Sequence, residues 1–383
     1  MNVVPFELSS VNLTLAIVRD ALLHVKATTY SPDNIPGIFI RNLAFLLTIP
    51  VFKLFNMSLQ SGTFPSLWKF ADVTPLYKGK GSKCDANNYR PISCTAVLGK
   101  LLECIVKNEL LNYISLHQLF STAQHGFRPL RSVVSNLLIA DALVSNHVDA
   151  GHPVDIILFD MSKAFDVVSH DFLAHKLLNL GIKGNLLTWI ISFLHNRFQR
   201  VRIGDVFSTA LEVLSGVIQG SVLGPILFVL FINDIVDQII FSKALLYADD
   251  LKLLMPLINI DSNANLQCDI NNLSAWMIKW RMSFNAHKCY VIHVGPNNPR
   301  HVYTLNGFPI PVRAECLDLG VLRDESFTYT KHIESTVAKC HRLCACILHS
   351  FASRNRRVLT YAYMSYIRPI LDFASSVWSP KSA

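Results

Sequence analysis

Residues 245–254 read LLYADDLKLL, two adjacent carboxylates, Asp249 and Asp250, set inside an apolar run of strand character. Side chains alternate between the two faces of a strand, so a straight strand would bury one of these charges or expose the leucines around it. A tight hairpin joining two short strands removes the conflict by carrying both acids at its tip. A second apolar run, VDIILFDMS at 154–162, reaches Asp160 as a buried strand does when it delivers a residue to a site. If the two strands are neighbours, three carboxylates converge at one sheet edge, and their mutual repulsion demands a cation. Hard divalent cations with oxygen ligands fit best. Two such ions, spanning the three acids and a triphosphate, suit in-line phosphoryl displacement.

Composition bounds the alternatives. Over 383 residues, 51% hydrophobic against 16% charged side chains imply large buried cores rather than disorder, with length for two or three domains. A formal charge of +8 implies an anionic partner, either nucleic acid or a membrane surface. From Val213 to Ile232 about twenty residues carry no charge, enough to span a bilayer. Gly216, Gly220, Gly224 and Pro225 punctuate that stretch, however, so it reads as a loop entering a buried helix, and no membrane partner is expected. The N-terminus lacks a basic segment leading into a long apolar one, and nine scattered cysteines read as reduced thiols; both fit an intracellular protein. In KCHRLCACILHS, Cys340 and Cys344 share a helix face while Cys346 does not, a pattern of structural thiols rather than zinc ligands.

Hydrophobic spacing predicts helices over 12–26, 38–60, 98–119, 131–147, 165–181, 225–239, 262–282 and 330–377. Strands are expected at ADVTPLY, at VDIILFDMS, on either side of Asp249 and Asp250, at KCYVIHVG and at ECLDLGVLRD. Without regular βαβ alternation the fold class is α+β. Trp276 and Trp280, one turn apart, read as core.

Taken in order, FDMSKAFD (159–166), SGVIQGSVLGPILFVLFINDI (215–235), YADD (247–250), FNAHKC (284–289) and LGV (319–321) resemble motifs A to E of a reverse transcriptase. PLYKGKGSKCDANNYRPIS (75–93) and QHGFRPLRS (124–132) are similar to the fingers of the enzymes of non-LTR, LINE-type, jockey-like retrotransposons. YADD alone is a weak signal, whereas the ordered set is specific. The resemblance implies a right-hand polymerase. It would have an N-terminal helical extension (1–30), fingers (31–152), an antiparallel-sheet palm with a ferredoxin-like core (153–325) and a partial helical thumb (326–383).

The same resemblance implies roles. Asp160 and Asp249 match the metal-binding carboxylates, with Asp250 auxiliary, for two Mg²⁺ ions that Mn²⁺ could replace. Phe165 matches the bulky residue under the incoming sugar, and Gln219 the glutamine that contacts nucleotide and template; Ile218 stands where the family usually has Pro. Lys78 and Arg90 match residues that hold the triphosphate, and Lys288 is the candidate proton donor to pyrophosphate. Two basic regions flank the acidic centre, nine Lys/Arg against four Asp/Glu over 66–131 and six against one over 331–357. Arg128 and Arg131 in the first, and Arg342, Arg354, Arg356 and Arg357 in the second, are the candidate phosphate contacts. The expected partners are an RNA template, a DNA primer and dNTPs. With no endonuclease expected upstream and a stop at YIRPILDFASSVWSPKSA, the expectation is a fragment or a decayed copy. The competing reading is a non-catalytic nucleic-acid-binding remnant of a mobile element.

Overall fold

Residues 4–352 and 354–379 are described by the computed structural model. Residues 1–3 of the expected N-terminal extension, and residues 353 and 380–383 of the expected thumb, lie outside the described residues.

In chain order the first strands are β1 (Phe70–Tyr77), β2 (Tyr89–Cys94), β3 (Val154–Asp160), β4 (Arg197–Ile203), β5 (Val206–Phe207) and β6 (Leu211–Val213). They are followed by β7 (Lys243–Tyr247), β8 (Asp250–Pro256), β9 (Tyr290–Val294), β10 (Thr304–Leu305), β11 (Phe308–Pro309), β12 (Glu315–Asp318) and β13 (Val321–Asp324). Helices α1 (Leu15–Leu23), α2 (Gly37–Asn42), α3 (Ala44–Ser61), α4 (Val97–Leu116), α5 (Val133–Asp149), α6 (His170–Asn179) and α7 (Gly184–Leu194) come first. The later ones are α8 (Gly224–Ile232), α9 (Ser262–Lys279), α10 (Thr330–Ser350), α11 (Arg356–Ala362), α12 (Arg368–Asp372) and α13 (Ser375–Trp378).

The chain divides into two units, each assembled from three separated stretches. One comprises Met1–Thr122, Ser162–Ile235 and Met277–Ser283; the other comprises Ala123–Met161, Val236–Trp276 and Phe284–Ala383. Helix α5, which falls inside the 31–152 block, thus belongs with β3 and β7–β9.

In the first unit β1 pairs antiparallel with β2 and parallel with β4, while β5 and β6 each pair with β4. Edge-on contacts of Phe64 with Trp68, Trp189 and Phe193 fill its core, at centroid separations of 5.8, 5.3 and 5.2 Å. Helix α8 is apolar on every face and buried throughout, with Pro225 in its first turn, where the missing N–H costs no hydrogen bond. Nine residues are too few to span a bilayer. Among the described residues no helix is long and apolar enough to cross a membrane.

In the second unit β7, β8, β3 and β9 form, in that order, a fully antiparallel sheet. Its inward residues Val154, Ile156, Leu245, Leu254 and Ile292 pack on Ala140 and Val144 of α5. Strands β12 and β13 make a separate hairpin, and Val321 joins Leu137, Ala374 and Trp378 in a second cluster. The mixture of antiparallel and mixed sheets with helices bears out the α+β class.

Two local expectations need correction. The helix expected over 165–181 begins only at His170, because residues 161–169 turn, with Lys163 at a positive φ of 46°, and Ser169 caps the first turn. The 38–60 helix divides at Leu43, whose backbone (φ −99°, ψ 15°) leaves the helical region. The helical stretch expected over 330–377 consists of four helices with a π turn over Tyr363–Ile367. Helix α7 and strands β4–β6 were not anticipated: the apolar LLTWIISFL and the alternating RFQRVRI lie in a segment for which the motif pattern predicts no element.

Candidate active site

The acids are placed by strand register. Strands β3 and β8 pair without interruption from Val154↔Pro256 to Asp160↔Asp250, so the last residue of one faces the first of the other. Strands β7 and β8 pair through Tyr247↔Asp250, which leaves Ala248 and Asp249 as a two-residue turn. Ala248 takes the left-handed backbone conformation the turn requires, φ 54°. The hairpin expected from the sequence is present, with one refinement: Asp249 lies in the turn itself and Asp250 opens β8.

This crowding has an electrostatic signature. The Asp250 carboxyl is pushed up to about 7, first by the protein packed around it and then by the charges of Asp249, Asp160 and Asp318, with Lys252 opposing. Asp250 keeps an exposed face, so the repulsion among the acids is the part a bound cation would reverse. Among the described residues no three His, Cys, Asp or Glu side chains close around one point as a protein-only metal cage. Mg²⁺ is ordinarily held by one or two carboxylates together with substrate phosphate oxygens and water. Asp160, Asp249 and Asp250 offer oxygen donors, the ligand type that hard divalent cations take. Lys288, on the short 3₁₀ turn before β9, brings its Nζ within 3.3 Å of Asp160 Oδ2.

The turn bearing Asp249 is held from behind by a segment that sequence reasoning assigned to nucleic-acid contact. Gln124 is buried, and its Oε1 accepts from Gly126 N at 2.7 Å and from Ala248 N at 3.0 Å. Backbone bonds His125 N to Leu246 O and Leu246 N to Ala123 O, both 2.9 Å, add this segment to the outer edge of β7. Gly126 is required here, because a Cβ at that position would lie 2.4 Å from Ala248 N. The signal was present in QHGFRP: an uncharged amide and a glycine immediately before the basic residues.

A buried charge network lies behind Asp250. Lys252, two residues along β8 and 3% exposed, pairs with Asp318 of β12. Arg323 of β13 stands 3.0 Å from the same Asp318 oxygen, without hydrogen-bond alignment, and also pairs with Asp141 of α5. Tyr329 donates to Asp141 at 2.6 Å. Two cations and two anions balance, which is the condition for keeping such charges out of water. The single Lys interrupting an otherwise apolar strand was the clue.

The remaining candidates are distributed over both units. In the first, Phe165 is half-buried and stacks on Phe228, centroids 4.5 Å apart. Gln219 lines a cavity of about 270 Å³ with Ser93 and Arg197, and its carbonyl accepts from Ser93 N at 2.7 Å. Ile218, in the place of the usual Pro, is buried beside it. Lys78 Nζ donates to Asn87 O at 2.7 Å across the β1–β2 loop, whereas Arg90 projects from β2 into solvent. In the second unit Arg128 and Arg131 lie close enough that each disfavours further positive charge nearby. Arg342, Arg356 and Arg357 are exposed. Arg354 is committed elsewhere in part: its Nη1 donates to Leu348 O and Phe351 O at 2.9 and 2.7 Å, capping the end of α10. Trp276 is buried, as expected of core, and Trp280 is half-buried under the Lys176 ammonium, 3.7 Å from the ring centroid.

Comparison with known proteins adds an independent line. The family model described as "Reverse transcriptase (RNA-dependent DNA polymerase)" matches residues 78–333. Over 361 residues the chain is 26% identical to the "Probable RNA-directed DNA polymerase from transposon BS" of Drosophila melanogaster, covering 90% of this chain and 40% of that protein. Over 344 residues it is 28% identical to the "RNA-directed DNA polymerase from mobile element jockey" of the same organism, covering 85% and 37%. The chain thus spans about two-fifths of the length of these curated relatives. A solved structure of apo telomerase from Candida tropicalis, truncated from its C-terminal domain, aligns over 67% of this chain and 55% of that one, at 14% identity and a TM-score of 0.46.

Proposed function

The chain belongs to the reverse transcriptase (RNA-dependent DNA polymerase) family, and from that premise we propose that it carries the polymerase activity of a non-LTR retrotransposon, extending a DNA primer on an RNA template with dNTPs. The observation that carries this reading is the pairing of Asp160 with Asp250 beside the Asp249 turn, which gathers three acids at one end of an antiparallel sheet.

In the proposed reaction the primer 3′-oxygen forms a bond to the α-phosphorus, and the bond from that phosphorus to the bridging oxygen of pyrophosphate breaks. Asp160, Asp249 and Asp250 would hold two Mg²⁺ ions, which supply electrostatic stabilisation of the attacking and leaving oxygens. The closeness of the Lys288 ammonium to Asp160, 3.3 Å, supports reading Lys288 as the proton donor to the leaving pyrophosphate. Phe165 excludes a ribose 2′-hydroxyl, Gln219 contacts the nucleotide, and Lys78 and Arg90 steady the triphosphate in this reading. Fingers, palm and thumb are proposed over 31–152, 153–325 and 326–383.

Primer extension on an RNA template with dNTPs and Mg²⁺ tests the proposal. Templated incorporation that disappears in Asp160→Asn is the expected result. Binding of primer–template without any incorporation by the wild-type chain would favour the non-catalytic remnant.

A further inference from the structure

A cavity of about 230 Å³ opens beside the acids and is lined by Asp160, Asp250, Lys288, Tyr290, Arg313 and Leu319. Arg313 belongs to no motif named above. Its backbone is pinned to the edge of the sheet: Arg313 N donates to Val291 O and Val291 N donates to Pro311 O, each at 2.9 Å. The guanidinium lies over the ring of Tyr290, 4.6 Å from its centroid. Among the described residues it makes no ion pair and no side-chain hydrogen bond. Its neighbours in the network behind Asp250, Lys252 and Arg323, are by contrast both paired with carboxylates.

We propose that Arg313, seated over the Tyr290 ring, binds a phosphate group that lies in this cavity beside Asp160 and Asp250. The inference rests on the polymerase reading above and adds to it a binding residue. Three physical points support it. A guanidinium fixed on an aromatic face has already lost much of its rotamer freedom, so less is lost when it forms a bidentate contact. A planar donor fork matches a phosphate, and no protein carboxylate competes for it. Finally, the cations Lys252, Lys288 and Arg313 line the cavity together with the acids Asp160, Asp250 and Asp318, so a phosphate there finds compensating charge from the protein.

Phosphate at this position comes either from the backbone of the primer–template or from the nucleotide, and two measurements separate the sources. Binding of a primer–template duplex is followed across a salt series without dNTP, and KM for dNTP is measured at saturating duplex. The variants are Arg313→Ala, Arg313→Lys, Tyr290→Leu and Tyr290→Phe. A backbone contact predicts that Arg313→Ala weakens duplex binding on the order of tenfold and lowers the slope of log K against log salt by about one. Arg313→Lys should recover part of the affinity, Tyr290→Leu should reproduce part of the loss, and Tyr290→Phe should bind like wild type. A nucleotide contact predicts instead a raised dNTP KM with duplex affinity unchanged. Wild-type affinity, salt slope and KM in Arg313→Ala would overturn the inference. The binding arm requires no synthesis, so its outcome is independent of whether the chain proves to be an active polymerase.

Discussion

Asp160 and Asp250 are register partners at the end of the β3–β8 ladder, the last residue of one strand against the first of its neighbour. Their side chains therefore share one end of the sheet with Asp249; burial first and then the neighbouring acids lift Asp250, and the repulsive part marks a place where a cation is favoured. Asp160→Asn and Asp249→Asn each remove a charge without removing volume. Either should reduce primer extension by about 10³-fold, the equivalent of ~4 kcal/mol of transition-state stabilisation, while duplex binding changes little. Single-turnover extension alongside filter binding checks this, and near-normal extension in either variant would remove that acid from the site.

Gln124 ties the turn to the neighbouring segment through one oxygen that accepts from two backbone donors. Gln124→Leu leaves both donors buried and unpaired, at a cost of about 1–3 kcal/mol each. Gly126→Ala forces Ala248 to move. Both variants should lower the melting temperature and slow extension more than they weaken duplex binding. Equal loss of synthesis and binding would mean that the segment acts directly on nucleic acid.

His125 lies in the same clamp, buried, with Nδ1 2.7 Å from Ser135 Oγ. Burial first, then Arg131 and Arg128, hold its imidazole down at about 4. The unfolded chain, with an ordinary imidazole near 6.5, binds the proton more readily, so stability is retained above that pH and is lost as pH falls through 6.5 toward 4. His125→Leu should flatten this acid limb of a melting-temperature profile. A profile unchanged by the substitution would assign the acid sensitivity to other groups.

Phe165 packs on Phe228, so its ring has a structural role whatever it does for substrate. Phe165→Val should lose the stacking contribution, about 0.5–1.5 kcal/mol, together with some core packing. If the ring also excludes a 2′-hydroxyl, the ratio of rNTP to dNTP incorporation rises in the same variant. A lower melting temperature with an unchanged ratio would make Phe165 a core residue only.

The exposed Arg356 and Arg357 differ from Arg354, which caps α10. Arg356→Ala with Arg357→Ala should reduce the salt slope of duplex binding by up to about two and leave melting unchanged. Arg354→Ala should do the reverse, with a modest loss of stability and little change of slope. Comparing the two variants over one salt series and one melting curve separates phosphate contact from helix capping.

The sequence by itself determined that Asp249 and Asp250 belong to a hairpin tip, and that Asp160 joins them if its strand lies alongside. Charges inside apolar strands cannot stand alone, and the alternation of strand side chains left a hairpin as the economical solution for Asp249 and Asp250. That constraint is local, and so was legible, together with the α+β class and the apolar segment 224–232 that became a buried helix. Only the tertiary structure decided which groups satisfy one another. Lys252 is recognisable in the strand as a buried charge, but its partner Asp318 lies 66 residues away, and periodicity tells that a side chain points inward without telling what it meets there. The same holds for Gln124 and Ala248, 124 residues apart, and for the parallel pairing of β1 with β4. It holds also for the turn after Asp160, where apolar spacing suggested a helix and the chain instead reverses before Ser169 begins α6. Hydrogen bonds and ion pairs between distant segments hold the acids in place, and residue spacing along the chain does not specify them.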